Sequence, residues 1–480
     1  MSLPKTRPQI LLLNPPSRQV VIRDYYCSKT SRSNYLYQPV DLQMAAAWLR
    51  EDFELTFMDA VRDRWTPART LAEIHARTFD GVVFLAGAVS WEEDRAFLAE
   101  LKRHVPQPFF GSGDVLREGS RRILEENPAI DGVLFDFTNA DVLHLLHRRD
   151  EQVRNAVFRR DGRIVEVREP RPRGDQEIAP IPPHELFIHP RYAFPFVRRK
   201  PFAVVLSDYG CPYPCTFCIM ATLGWKARPV EDVLKELEYL NRLGAHDVFF
   251  IDQTFRLRKQ ENLQLCRAIR QRGLTLRWSC FSRVDCVDEE LLVAMRDAGC
   301  HTIIFGVESA SNDILRKYQK GFTVERVPPV FALCRRLGIE TCATFILGFP
   351  EDTVATCLET IRFARRLRPS YASFHLAVPR ATTGLRQQSI QDGLIDESVV
   401  TMDQGGSSFL RGTRHLTARD LRKIRWKAFV SFYLWPPYLL RHLLDRLRFP
   451  HQLIEEMREG LSLLRAVLFH RAGSTAGSDG

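Results

Sequence analysis

Between Gly210 and Met220 the chain reads GCPYPCTFCIM, which puts Cys211, Cys215 and Cys218 within eight residues, among prolines, aromatics and one threonine. Four thiolates close a structural zinc site or fill an iron-sulfur cluster, so a set of three leaves one metal position open for a substrate or cofactor. A zinc site would need a fourth ligand close by. The window from Ser207 to Trp225 contains no histidine and no further cysteine, and Asp208 would serve poorly. Three unrelated thiols would be the remaining account, and their shared loop at the end of a strand speaks against it.

Outward from this loop the pattern alternates. FAVVLSDYG runs into the cysteines, and DVFFIDQTF, TLRWSCFSRVD, TIIFGVES, ETCATFILGFP and YASFHLAVP follow as strands, separated by amphipathic helical stretches such as VEDVLKELEYLNRLG. Six strand-helix repeats in about 200 residues predict a parallel barrel or partial barrel, with reactive groups at the C-terminal ends of the strands. Upstream, QILLLN, ELTFMDAV, GVVFLAG, PFFGSG and DGVLFDFT alternate with helices and predict a doubly wound parallel sheet. Ligands of such sheets bind beyond the carboxyl ends of the strands, where Asn14, Pro15, Asp59, Gly87, Ser90, Gly111 and Gly113 fall. Glycines there can also simply turn the chain. AVFRRDGRIVEV reads as a hairpin turned at Asp161-Gly162, and the proline-rich stretch after it as a linker. The expected organisation is a Rossmann-like domain over 1–150, hairpin and linker over 151–197, a partial (β/α)6 barrel over 198–404, a basic helical segment over 405–471 and a disordered tail over 472–480.

The CPYPCTFC segment resembles the CxxxCxΦC motif of the radical S-adenosylmethionine (SAM) enzymes, with Phe217 as its aromatic, and the likeness extends over nearly the whole chain. It implies that Cys211, Cys215 and Cys218 hold a [4Fe–4S] cluster whose fourth iron receives the amino and carboxylate groups of SAM. An electron from that cluster would cleave SAM to methionine and a 5′-deoxyadenosyl radical. The later strands match in order. The resemblance implies Asp252 for the SAM amino group, Arg283 for its carboxylate, and Glu308 and Ser309 for the methionyl or ribose part. Ile346, Gly348 and Glu351 would lie near the adenine, and Pro379 would stand at the last strand. Singly, an acidic residue at a strand end caps a helix at least as often as it binds a ligand. The order behind three cysteines is what makes the pattern specific.

The first domain resembles the cobalamin-binding domain that precedes this core in class B radical SAM methyltransferases and in the anaerobic cyclase of chlorophyll synthesis. That likeness implies cobalamin held by Asn14, Pro15, Asp59, Gly87, Ser90, Gly111 and Gly113. The family signature DxHxxG is broken here: MDAVRDRW carries Asp59 and Val61 but no histidine, so no axial histidine is expected. A degenerate sheet that only buttresses the core is the alternative. The function implied is cobalamin-dependent methylation of an unactivated carbon in a hydrophobic natural product, lipid or tetrapyrrole. The alternatives are a radical SAM cyclase or oxidoreductase without methyl transfer, and a non-catalytic iron-sulfur sensor or scaffold. Flavodoxin or ferredoxin is the implied electron donor.

The remaining composition narrows the setting. The chain has 480 residues, too many for one core. No stretch approaches the roughly 18 to 20 apolar residues that span a bilayer, and from the short apolar run before Asn14 no cleaved secretion signal is expected. Eleven cysteines, an odd number, do not make a disulfide framework, so a reducing cytoplasm is expected. The eight outside the motif read as buried thiols. Residues 409–471 hold 13 Lys/Arg against 5 Asp/Glu. The stretch LRKIRWKAFVSFYLWPPYLL reads as a helical cap on the barrel, or as a surface for anionic lipid. Nucleic acid is disfavoured, because the charge comes without an RNA-binding module.

Overall fold

The aliphatic runs Gln9–Asn14 and Gly81–Leu85 are buried along almost their whole length, as central strands of a parallel sheet must be. The computed structural model describes residues 7–24, 28–31, 35–171, 173–175, 178–399 and 412–440. Its first half contains strands β1 (Gln9–Asn14), β2 (Val21–Ile22), β3 (Lys29–Thr30), β4 (Glu54–Asp59), β5 (Gly81–Leu85), β6 (Phe109–Ser112), β7 (Gly132–Leu134), β8 (Asn155–Arg160) and β9 (Arg163–Arg168). Seven of them form one sheet in the order β4-β1-β5-β6-β7-β8-β9. The first five run parallel, while β8 and β9 are antiparallel. The hairpin turns at Asp161-Gly162, both with left-handed φ (48° and 77°), as the sequence predicted. It extends the first sheet, although the sequence had grouped it with the linker. The short antiparallel β2–β3 pair was not foreseen, and residues beside it reach the C-terminal ends of the sheet, Arg23 donating to Asn14 and Ser28 N–H to Asp114.

The second half adds β10 (Arg173–Asp175), β11 (Phe202–Val205), β12 (Asp208–Gly210), β13 (Trp225–Ala227), β14 (Asp247–Phe250), β15 (Arg277–Ser282), β16 (Cys300–Glu308), β17 (Glu340–Leu347) and β18 (Tyr371–Leu376). The six predicted strands form an all-parallel sheet, β11-β14-β15-β16-β17-β18. Alternation sorts their side chains. Val248 and Phe250 pack with the outer helices, while Phe249 and Ile251 face the lumen.

The supposed linker fills that lumen. The Phe194 ring lies 4.2 Å from Phe249 and 5.5 Å from Tyr37, and Phe196 lies 5.5 Å from Tyr371. Prolines limit this stretch to the short strand β10 and a single turn at His184–Leu186, yet its aromatic residues give it surface to bury, and His184, Phe187 and Tyr192 are buried. The resulting apolar cluster runs from Val40 and Met44 of the first half to Ile304 and Cys342 of the barrel. Charged pairs reinforce it: Lys226 meets Asp136 at 2.7 Å and Arg380 meets Asp114 at 3.5 Å. The C-terminal edges of both sheets therefore face each other.

In the basic C-terminal segment, helix Ala418–Tyr433 buries Leu421, Ile424, Ala428 and Phe432, and Tyr433 donates to the Ala372 carbonyl at 2.8 Å. Residues 405–411 and 441–471 of that segment, and the expected disordered tail 472–480, lie outside the described residues. No described helix is long and apolar enough to cross a membrane.

Candidate active site

The cysteine loop begins where β12 ends. Gly210 has φ 75°, and a Cβ there would sit 2.0 Å from the Gly224 carbonyl oxygen, so only glycine permits the approach that lets Cys211 N–H donate to that oxygen at 2.9 Å. Cys218 N–H returns to Cys215 O at 3.0 Å, and Thr216 N–H reaches Tyr318 O at 3.2 Å. Cys215 is buried, and Cys211 and Cys218 are partly exposed. Burial pushes the Cys211 thiol up and the Cys218 thiol up to about 12, with the neighbouring thiols adding to both. Such groups give up their protons to a metal rather than to water. Among the described residues no three His, Cys, Asp or Glu side chains converge on a single metal ion.

Two cations stand beside them. Arg283 Nη1 lies 3.6 Å from Cys215 Sγ, while its Nε and Nη2 donate to Asp285 at 3.0 and 2.8 Å. The guanidinium lies 3.6 Å from the centroid of the Tyr213 ring. Lys320 is buried and pairs with Glu308 at 2.7 Å. Burial alone would depress its ammonium, but Glu308 first and then the neighbouring Cys215 hold it above the usual range. Glu308 itself has φ 68°, where the pairing of β16 with β17 slips. A non-glycine residue held in that region is a mark of functional sites. Ser309 follows it, and its Oγ accepts from Ser311 N–H at 3.1 Å.

The residues expected near adenine also gather. Phe217, Tyr318 and Phe349 form an aromatic trio, with Phe217–Phe349 at 5.7 Å and Tyr318–Phe349 stacked at 4.3 Å, and Ile346 packs on the same group. Glu351 accepts from the Tyr318 hydroxyl at 2.6 Å and pairs with Lys317. Gly348 has φ 84°, and a Cβ there would press to 2.6 Å of Leu421 on the C-terminal helix. Pro379 is buried beside Arg380 at the end of β18.

Asp252, expected at the SAM amino group, is engaged within the chain. Its carboxylate accepts from Ser207 N–H at 2.6 Å, from Asp208 N–H at 3.0 Å and from the Ser207 hydroxyl. Burial and the Asp208 charge push it up to about 7. It braces the lead-in to the cysteine loop. Behind it a buried polar chain continues through Arg256, 3.2 Å from Asp208 and 2.7 Å from Arg228 O, to Glu236 and His184, the last pair at 2.7 Å.

The seven residues singled out in the first domain lie along one edge. Asn14 donates to Asp59 at 2.9 Å, and Tyr192 donates to the other Asp59 oxygen at 2.7 Å. Arg23 donates to Asn14 Oδ1 and Pro15 O, both at 2.8 Å, and to Ser90 Oγ at 3.1 Å, and pairs with buried Asp94 at 2.6 Å. Gly87 N–H donates to Asp94 at 3.0 Å, and a Cβ at Gly87 would meet Ser28 at 2.9 Å. Gly111 has the Phe84 ring 2.4 Å from where a Cβ would sit. Gly113, with φ 142°, has the Ala86 carbonyl oxygen only 1.8 Å from that position. Close packing within the chain accounts for all three glycines.

Two buried side chains nearby have unmet capacity. Asp41 accepts from Ser112 at 2.6 Å through one oxygen and leaves the other without a partner, and Gln43 has no partner for either amide atom. Burial pushes Asp41 up to about 8. Buried polar atoms of this kind call for an additional partner. Sequence reasoning missed these two, together with Arg23, Lys320, Tyr192 and Tyr318. Only Tyr192 carried a signal, as part of an aromatic series inside a proline-rich stretch.

Residues 207–364 match the radical SAM superfamily. An uncharacterized methyltransferase of Pyrococcus horikoshii is 28% identical over 91% of this chain and 95% of its own length. The anaerobic magnesium-protoporphyrin IX monomethyl ester cyclase of Rubrivivax gelatinosus is 30% identical over 40% of this chain, and the match spans 35% of the cyclase. Among solved structures, the cobalamin-dependent SAM radical enzyme OxsB, with aqua-cobalamin and SAM bound, superposes with a TM-score of 0.69 at 14% identity, covering 95% of this chain and 72% of OxsB. At that identity the likeness is one of fold.

Proposed function

We infer, from a chain whose residues 207–364 are a radical SAM domain, that this enzyme uses SAM and cobalamin to methylate an unactivated carbon of a hydrophobic substrate. The observation that carries the reading is the three-thiol loop at the C-terminal edge of the barrel, with Arg283 and Lys320 around Cys215. Three thiolates with two adjacent cations suit a [4Fe–4S] cluster, whose negative charge they would offset. When bound, that cluster supplies the electron for reductive cleavage of SAM. The chain's own part is positional. Gly210 and the Asp252 brace fix the loop, Glu308 and Lys320 hold opposite charges beside it, and the Phe217–Tyr318–Phe349 trio offers a flat apolar face suited to adenine.

Cobalamin fits the first domain in a limited but specific way. The unpartnered Asp41 oxygen and Gln43 amide sit in the half whose strand ends face the barrel, and a corrin's amide-bearing rim supplies the complementary donors and acceptors. The aqua-cobalamin bound in OxsB, which shares the fold, and the methyltransferase name of the Pyrococcus relative support this reading. The cyclase relative supports a second one, radical chemistry without methyl transfer.

A lipid, tetrapyrrole or other apolar natural product is the proposed substrate, and the tetrapyrrole in the name of the Rubrivivax relative supports that class. A flavodoxin- or ferredoxin-type donor completes the proposal, in the cytoplasm. Exposed Leu434, Leu439 and Leu440, close in sequence to exposed Arg422, Lys423 and Lys427, support peripheral contact with anionic lipid. The deciding experiment incubates anaerobically reconstituted protein with dithionite, methyl-labelled SAM and a lipid and pigment extract. Deoxyadenosine together with labelled product is expected. Deoxyadenosine with no labelled product would select the second reading, and the absorbance spectrum of the purified protein reads cobalamin directly.

A further inference from the structure

The geometry points to Arg283 as a residue that tunes a cluster on the three thiols, rather than one that grips a free carboxylate; this rests on the reading above. Four contacts define it. Nε and Nη2 are bound in a fork to Asp285, Nη2 also donates to the Lys320 carbonyl, the plane stacks on Tyr213, and Nη1 is directed at Cys215 Sγ, 3.6 Å away. Phe322 closes another side, with its ring centroid 5.5 Å from the guanidinium carbon. A guanidinium so occupied keeps little freedom to rearrange around a small ligand. Its remaining donor faces a sulfur.

Hydrogen bonds to the sulfurs and net charge nearby are what a protein uses to set the potential of an iron-sulfur cluster. A reduced cluster carries one more negative charge, so a cation and an N–H donor at Cys215 favour reduction. Asp285 opposes this by neutralising part of the same cation. The two residues must therefore act with opposite sign. Lysine could supply the charge but not the fork that binds Asp285 while a third nitrogen reaches Cys215. Lys320 contributes less, because Glu308 is its direct counter-charge.

The test is a redox titration of reconstituted protein without SAM, followed by electron paramagnetic resonance of the reduced cluster. Arg283→Gln is expected to disfavour reduction at least ~tenfold in equilibrium constant, about 59 mV for a one-electron couple. Asp285→Asn is expected to shift the potential the opposite way, and Arg283→Lys to fall between wild type and Arg283→Gln. A residue that merely supported the fold would not produce shifts of opposite sign. Unshifted potentials, or shifts in the same direction, overturn the inference. If Arg283→Gln fails to take up iron, Asp285→Asn against wild type decides, an upward shift supporting the inference and any other result overturning it. Wild-type protein that takes up no iron would instead overturn the functional reading on which the inference rests.

Discussion

The Tyr192 hydroxyl donates to Asp59 at 2.7 Å and ties the segment between the two sheets to the end of β4. Asp59 is fully buried, and its other oxygen accepts from Asn14 and from Arg62 N–H, both at 2.9 Å. Replacing Tyr192 with Phe leaves one buried carboxylate oxygen unsatisfied, at a cost of about 1–3 kcal/mol. Chemical denaturation should show that loss, and Asp59→Asn with Tyr192→Phe should cost less than the two changes summed.

Asp41 gives the apoprotein a defined pH dependence. Burial raises its carboxyl to about 8 in the folded protein, against about 4 when unfolded. The folded state therefore binds this proton more tightly. The associated stability is complete below about pH 4 and is lost as pH rises towards 8. Asp41→Asn should flatten this part of the profile, so that variant and wild type diverge most near pH 8, with the variant the more stable. Thermal melts of cofactor-free protein between pH 5 and 8 provide the check.

The thiols separate into two classes. Cys211→Ala, Cys215→Ala and Cys218→Ala should each abolish most iron retention and SAM cleavage. Cys286 is hydrogen-bonded to the Tyr213 hydroxyl at 3.0 Å, and Cys286→Ala should retain iron at the wild-type ratio. Iron analysis and the visible spectrum distinguish the classes.

Two glycines with positive φ should respond very differently. At Gly119, with φ 67°, nothing lies within 4 Å of an added Cβ, so Gly119→Ala should cost only about 1–2 kcal/mol of backbone strain. At Gly113 the added carbon meets the Ala86 carbonyl oxygen at 1.8 Å. Gly113→Ala should cost more than about 4 kcal/mol or prevent folding, read as the difference in denaturation midpoint or soluble yield.

The strands of both sheets were legible in the sequence because parallel strands are buried on both faces and write long aliphatic runs. The cysteine motif was legible because its spacing is local. What escaped was set by contacts distant in sequence. Arg23 reaches Asp94 across 71 residues, and Tyr192 reaches Asp59 across 133, with no periodic pattern to announce either. Lys320 stands in the loop between helices Asn312–Lys317 and Val327–Leu337, where a lone lysine usually faces water, and only the fold brings Glu308 to it. The proline-rich stretch reads as a linker in the sequence, and its phenylalanines went unread as core. Gly348 shows the converse, a motif position whose glycine the C-terminal helix also requires.

The aromatic plug from the connecting stretch has a practical consequence for anyone dividing this protein. A cut near residue 198 looks natural on paper, yet it would strip Phe194 and Phe196 from the lumen and bare Phe249, Phe281 and Tyr371 to water. Neither piece would then be a sound expression target, and a protease that nicks this stretch should leave two fragments that still elute together. The sequence has a border there, and the folded molecule has none.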